Sequence, residues 1–590
     1  MSFIKELKRR NVFKVAIAYV IVSWLVVQVI DSIVPIIEAP EWAAKVVLVL
    51  LLAGFPIACL FAWAFELTAE GIKRSKDVDI ADSISHQTSR KIDFIIIAAL
   101  LFIIGGLLYQ QYFSTPVNTT INSSIAVLPF RNISSDPEQE YFSDGIAEEI
   151  LNALVRVKGL SVSSRTSSFV FKGSGKSIKE IAKALRVNHV LEGSVRKYGN
   201  KVKITTQLID VSNDKYVWSN TFERELNDIF AIQEEISLAI VSSLKLSLDP
   251  LHSQQSQTTN IQAYSIYLQG KFEYAKRSSD SLALFDAISL FEQAIELDPG
   301  YANAYASMGR AHAMLLNYGL VTDLKKHHLL ARTAINMALA LDAKNVEALL
   351  SLATVKFQWE GDFIGAQQDF QSAIALSPQN AEIYNFFGDY FNTIMDYDNA
   401  LIMEGMAFEL DPNSYINVAE YGQTLLRAGQ VDQGLELLRE LFTAKAEFVN
   451  SNQITALGNY FARRLIATKL GGQKLIAQGL LKSRFSDLLL KAYSGDEQAL
   501  TTLINTPVFG YTYADIYPIF IADIYFQTGK FDQAELWLQK TLDKGVNYFE
   551  FIDIKVADPR VKVNHAGINK LLNSPPLDKF MRLRRKNLGL

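Results

Sequence analysis

The sequence predicts a multidomain chain with a three-helix transmembrane anchor, then an α/β domain, then an all-α repeat solenoid. Three observations lead there. Apolar runs long enough to cross a bilayer open the chain. A middle stretch mixes alternating apolar segments with helical spacing. Beyond it, one phrase recurs at helix ends: Leu297-Asp298-Pro299, Leu341-Asp342-Ala343, Leu376-Ser377-Pro378 and Leu410-Asp411-Pro412, at steps of 44, 35 and 34 residues.

The anchor occupies 1–113, with spans expected at about 15–34, 46–65 and 94–113. About 20 apolar residues cross the hydrocarbon core, so each run qualifies. Trp42 and Trp63 lie near span ends, where aromatic side chains gather. Lys5, Lys8, Arg9, Arg10 and Lys14 precede the first span, and Lys45 alone stands between the first and second. Lys73, Arg74, Lys76, Arg90 and Lys91 separate the second from the third, and no basic residue follows until Arg131. That alternation places the N-terminus in the cytoplasm and everything after about 113 across the membrane. The lipid bilayer is therefore an expected partner. The first run is not read as a cleaved signal, because two more spans follow it.

Composition narrows the function. Net charge is -4 with 20% charged residues, which gives no electrostatic case for nucleic acid. The single cysteine, Cys59, excludes a disulfide framework and a cysteine-based zinc site. No cofactor or metal site is expected, and the chain is expected not to be an enzyme.

After a Ser/Thr/Asn linker at 114–124, the α/β domain is expected at 125–248. It reads as a strand at 125–130, a helix at 140–157, a strand at 160–163 and a helix at 177–185. Strands at 188–197, 201–210 and 215–223 form a meander turning at Tyr198-Gly199-Asn200 and at 211–214, and a helix at 228–246 closes the unit. Gly173-Ser174-Gly175-Lys176-Ser177 ends like a phosphate-binding loop, but Val170 stands where the first glycine is required. Ser177 with Glu180 is the better fit, as a helix capping box. Asp144, Glu148 and Glu149 read as first-turn acids complementing a helix dipole.

The repeat array is expected at 260–590. Tyr384, Phe387-Gly388, Phe391, Ala400, Ala407 and Pro412 fall in the phase of the tetratricopeptide pattern, with Glu404 out of type. Tyr421-Gly422, Leu425, Gly434 and Leu438 repeat the phase, as do Tyr525, Gly529, Phe531, Ala534 and Leu538, and earlier Ala287, Phe291, Ala294 and Pro299. The extra length of the 44-residue step is assigned to a polar insertion at 317–328, with His327 and His328 facing solvent. Arg582, Arg584, Arg585 and Lys586 interleave with Leu577, Phe580, Met581 and Leu588, as in a terminal helix sealing the stack behind a polar outer face.

The runs SIAVLPFRNISSDPEQEYFSDGIAEEILNAL, VLEGSVRKYGNKVKITTQLID and DIFAIQEEI closely resemble the TolB amino-terminal-like (FlgO-like) domain, which precedes tetratricopeptide repeats in many bacterial envelope and signalling proteins. The phrases ELKRRNVFKVAIAYVIVSWLVVQVID and AWAFELTAEGIKR resemble the membrane module that often precedes that pair. The resemblance implies a bacterial inner-membrane protein with a periplasmic C-terminal part, related to the periplasmic parts of CadC-like regulators and class III cyclase fusions. Those relatives carry a cytoplasmic effector. Only 14 residues precede the first span here, so any signalling role is expected to run through a separate partner.

The expected function is a non-enzymatic scaffold that recruits protein or peptide partners. A signal-input subunit and an enzyme with an unrecognised site in the α/β domain stay open. In this repeat class the first helix of each hairpin lines the concave face. Carrying the register over gives Arg310, Asn385, Asp389, Asn392, Gln423 and Arg427 as candidate peptide-binding residues, expected to be exposed and tolerant of substitution.

Overall fold

The computed structural model describes residues 123–590 apart from 158, 245, 247–257, 279, 281, 322, 445–483 and 509–510, together with scattered positions between 12 and 74. Two compact units divide the chain, 1–119 and 120–590. In the first, strands β1 (Phe65–Thr68) and β2 (Gly71–Arg74) form an antiparallel hairpin. The Tyr19 hydroxyl donates to the Leu51 carbonyl at 3.0 Å, and its ring meets Phe55 edge-on. Among the described residues no helix is long and apolar enough to cross a membrane. The expected spans at 15–34 and 46–65 lie largely, and the span at 94–113 wholly, outside the described residues.

The second unit begins with a mixed sheet. Strand β3 (Ser123–Val127) runs parallel to β5 (Leu160–Val162) on one side and β6 (His189–Tyr198) on the other. Strands β7 (Lys201–Asp210) and β8 (Lys215–Glu225) continue it antiparallel, and the short β4 (Arg131–Asn132) also pairs with β6. Gly199, at φ 58, supplies the left-handed residue that the tight turn between β6 and β7 requires. Helix α1 (Glu140–Leu154) packs on one face with α4 (Ile229–Ser243), burying Ile146, Ile150, Ile232 and Ile236 against Val127, Leu191, Ile204 and Leu208. Helix α3 (Ile178–Leu185) covers Ala126, Leu128 and Val190 on the other. Every element expected between 125 and 248 is present. The sequence reading missed β4 and the five-residue α2 (Arg165–Phe169), both too short to show periodicity.

Helical hairpins follow: α5 (Ile261–Ala275) with α6 (Ala283–Leu297), α7 (Ala302–Asn317) with α8 (Leu324–Leu341), α9 (Val346–Val355) with α10 (Phe363–Leu376), α11 (Ala381–Thr393) with α12 (Tyr397–Leu410), and α13 (Tyr415–Arg427) with α14 (Val431–Ala444). Beyond 483 come α15 (Arg484–Tyr493), α16 (Glu497–Ile504), α17 (Tyr513–Ile516), α18 (Pro518–Gln527) and α19 (Phe531–Lys544).

The recurring phrase has a backbone cause. Asp298, Asp342, Ser377 and Asp411 cap these helices outside the helical region, with φ of -144, -143, -144 and -141. A following proline disfavours the helical region, so Pro299, Pro378 and Pro412 enforce that conformation. Three residues on, the N–H groups of Tyr301, Asn345, Asn380 and Ser414 donate to the cap carbonyls at 3.1–3.3 Å and start the next helix.

Small residues set the hairpin spacing. Ala287, Ala294, Ala331, Ala338, Ala366, Ala373, Ala400 and Ala407 are fully buried. Gly270, Gly309 and Gly422 sit under Phe291, Ile335 and Leu438 of the paired second helix. The 44-residue step corrects one expectation. Its extra length is not a polar insertion at 317–328, because α7 runs to Asn317 and α8 starts again at Leu324 with 18 residues. His327 and His328 lie on α8 and have partners: His327 Nδ1 meets His312 Nδ1 at 3.1 Å, and His328 Nε2 meets Glu360 at 3.0 Å.

At Gly545 (φ 117) the chain leaves the hairpin pattern and turns back along the array. Phe551, Ile554, Val556 and Ala557 join the main core, and Tyr548 and Phe549 stack edge-on against Phe363 and Phe357. Helices α20 (Ala566–Leu572) and α21 (Pro575–Asn587) end the fold. Leu577, Phe580 and Met581 are buried, as a sealing helix requires, yet Arg584 points inward. It is fully buried and donates to the carbonyls of Phe551, Ile552 and Ala557 at 3.0–3.2 Å.

Candidate interaction surface on the inner wall of the solenoid

The candidate residues lie on the wall made by the first helices α5, α7, α9, α11 and α13, and the chain itself covers that wall at two places. Near its start the α/β domain docks. Helix α1 approaches α5 so closely that a Cβ on Gly145 would lie 2.8 Å from Leu268. Glu148 pairs with Arg165 at 2.7 Å and with Lys271 of α5 at 3.3 Å. Lys271 also reaches Glu347 of α9 at 3.8 Å, and Ser307 of α7 donates to the same carboxylate at 3.1 Å. Burial raises the Glu148 carboxyl, but Lys271 and Arg165 outweigh it and hold the group below its usual range. From α2, Ser167 Oγ donates to the Asp411 carboxylate at 3.0 Å.

Helix α1 starts at Glu140, so Asp144 and Glu148 lie beyond its first turn. Asp144 faces Lys172 at 2.6 Å. These acids are therefore partners of buried or half-buried cations, which corrects the dipole assignment. Ser177 and Glu180 form the reciprocal capping box of α3. No group of His, Cys, Asp and Glu that could hold a metal occurs among the described residues.

The candidate binding residues fall into two groups; Arg310, Asn385, Asp389, Asn392 and Gln423 are buried, and the Arg427 side chain is nearly so. Arg310 pairs with Glu382 and donates to Tyr274 Oη at 3.0 Å. Asn385, Asp389, Asn392, Gln423 and Arg427 lie on α11 and α13, and Asn385, Asp389 and Arg427 among them act on Glu404. Asn385 Nδ2 donates to Glu404 Oε2 at 3.2 Å, and Asn392 Nδ2 donates to Thr424 Oγ1 at 2.8 Å. Arg427 makes a two-pronged pair with Asp553 of the returning segment at 3.0 and 2.9 Å, with both side chains 4% exposed, and it holds Gln423 Oε1 at 2.9 Å. Burial opposes the charge on Arg427, and Asp553 outweighs it, so the guanidinium stays charged. The expectation that Arg310, Asn385, Asp389, Asn392, Gln423 and Arg427 are exposed and tolerant is thus corrected. Neighbouring helices and the returning segment take the place of water.

Glu404, out of type in the sequence, occupies the place under Gly388 that Phe291, Ile335 and Leu438 fill in other hairpins. It is fully buried, and its Oε1 has no hydrogen-bond partner among the described residues. Burial, with Asp389 and Glu420 adding to it, raises its carboxyl well above the ordinary range. Sequence reasoning did not find Lys271, Glu347, Glu382 or Asp553, because nothing local marks a partner far along the chain.

Comparison with known proteins places parts of the chain. The family described as HilA/YgeH-like transcriptional regulator, second domain, matches residues 121–239. Over 196 residues the chain is 37% identical to "Putative adenylate cyclase 3" of Rhizobium meliloti (strain 1021), covering 33% of this chain and 33% of that protein. This chain thus spans about a third of that relative's length. Among solved structures, a tetratricopeptide repeat protein from Parabacteroides merdae is similar at 16% identity, over 54% of this chain and 99% of that one, with a TM-score of 0.27. TolB from Acinetobacter baumannii is similar at 19% identity, over 21% of this chain and 28% of that one, with a TM-score of 0.17. The coarse architecture, a mixed α/β domain followed by a tetratricopeptide-like helical solenoid, is plain from the elements themselves.

Proposed function

We propose that the chain is a membrane-anchored scaffold on the periplasmic side of a bacterial inner membrane, where its solenoid recruits protein or peptide partners. The observation that carries the recruiting role is the stack of in-phase hairpins, since such arrays offer long continuous surfaces for binding. The lysine and arginine alternation supports the anchoring and its orientation. Direct peptide capture by Arg310, Asn385, Asp389, Asn392, Gln423 and Arg427 belongs to this reading. It requires the segment carrying Asp553 to yield its place on the wall.

The test is crosslinking in intact membranes, with a photoreactive residue placed in turn on the inner wall at Asn385 and on the outer face at Ile364. Specific adducts at either position support recruitment by the solenoid. Adducts at neither, with the protein folded and inserted, overturn it. A second reading, a signal-input module for a separate effector, is favoured by the matches to a regulator domain and to a protein named as a cyclase. Grafting 121–590 onto an effector of either kind and finding its output fixed under every envelope condition would count against that reading.

A further inference from the structure

The strand register gathers one set of turns at the end of the sheet where the chain enters it. Ile125 of β3 lies opposite His189, His189 opposite Asp210, and Asp210 opposite Lys215. The 211–214 turn between β7 and β8 therefore sits at the same end as Ser123. Arg156 lies there too, because the chain leaves α1 and enters β5 at Leu160, opposite Ser123. So does Arg186, which caps α3 just before β6. This end has an apolar tip and a surplus of base. Tyr216 is 64% exposed and Val217 42%. The register of β8 shifts here and leaves Val217 with no residue opposite it on β7. Such a bulge re-aims side chains. Trp218, the next residue, packs on the domain core and holds the strand beneath them. Arg156, Arg186 and Lys215 are exposed, with Lys183 one turn inside. The acids here are Asp214 and Asp210, and Ser212 and Asn213 hold the Asp210 carboxylate at 2.6 and 3.0 Å.

We propose that this end of the α/β domain rests on the bilayer, with Tyr216 and Val217 entering the headgroup region and Arg156, Arg186 and Lys215 facing anionic headgroups. The inference rests on the anchoring and orientation put forward above. Ser123 stands ten residues after 113, where the third expected span ends, so the tether reaches at most about 36 Å. The far end of the sheet, at Tyr198-Gly199-Asn200, lies another ten-residue strand away, about 33 Å. A short tether makes the contact intramolecular, so a small patch suffices. Tyrosine gathers at the headgroup level, and anionic lipid attracts clustered bases. A protein partner fits less well, because a stable interface takes about 800 Å² on each side.

The test reconstitutes the full chain, on a Cys59→Ser background, in phosphatidylcholine vesicles containing phosphatidylglycerol and brominated acyl chains. Tyr216→Cys and Asn200→Cys, both at exposed positions, each carry an environment-sensitive dye. Quenching by bromine roughly threefold or more stronger at 216 than at 200 is expected. Resistance to alkaline extraction reports the anchor separately. An inserted chain with equal quenching at the two positions overturns this contact and leaves the anchor standing. A chain that alkali removes overturns both. Replacing Arg156→Gln, Arg186→Gln and Lys215→Gln together should lower the quenching at 216 to its level in vesicles without phosphatidylglycerol. No change on that replacement overturns the role given to the bases. Photocrosslinks from 216 to protein in place of lipid overturn the choice of partner.

Discussion

Glu404 shows how one residue can set a condition on the whole array. An unfolded chain ionises this carboxyl near its ordinary value of 4.5, whereas the folded chain keeps it protonated to much higher pH. The folded state therefore holds a proton that the unfolded state has released. Its stabilising share is complete below about pH 4.5 and is lost as pH rises towards the folded value. Glu404→Gln removes that slope. Calorimetry should show the variant melting above wild type at about pH 8, and the two converging near about pH 4.5. A difference constant across that range would show that Glu404 is not the titrating group. Arg427 makes the opposite case. Truncation to alanine strands Asp553 in the core and should cost about 3–5 kcal/mol. Adding Asp553→Ala should recover part of that loss in a double-mutant cycle, whereas additive losses would deny the pair.

For single elements, legibility depended on how local the cause was. The strands and helices of the α/β domain were readable because alternation and 3.6-residue spacing arise within a few residues. The capping box at Ser177 was readable for the same reason. The caps at Asp298, Ser377 and Asp411 were visible as a phrase, since proline acts on the residue before it. The return from Gly545 was not. Its short turns and buried Phe551, Ile554 and Val556 follow no repeat. A polar residue such as Gln423 gives the same signal whether it faces water or an arginine.

The close helix approaches give an ordered test. On Gly434 a Cβ would lie 2.7 Å from the Gly422 carbonyl oxygen, which is backbone, whereas on Gly388 it meets the side chain of Glu404. Gly434→Ala should therefore cost about 1–3 kcal/mol, and Gly388→Ala less, as measured by urea unfolding. The reverse order would mean that hairpin spacing is not set at these contacts.

At the scale of the molecule, the two parts expected as separate domains share one core. Ile146, Ile150 and Ile236 of the α/β part belong to the same apolar cluster as Tyr264, Leu268 and Phe291 of the first hairpin. A fragment limited to 260–590 leaves Tyr264 and Leu268 in water at a cost of about 1.5–3 kcal/mol per large side chain. It should melt well below a fragment of 120–590, which should unfold in one transition. Two independent transitions in the longer fragment would separate the domains again.

The return of the chain onto its own wall also orders events in time. Asp553 lies 126 residues after Arg427. At about 5–20 residues per second, a ribosome needs about 6–25 s to supply the carboxylate after the guanidinium. Throughout that interval α13 and the turn between α9 and α10 exist without their cover, offering a naked cation on the first and Phe357 and Phe363 on the second to any holdase nearby. Biogenesis, not the finished fold, is then where this protein is most exposed to failure. Nascent chains arrested between 427 and 553 should be captured by chaperones that ignore the released product.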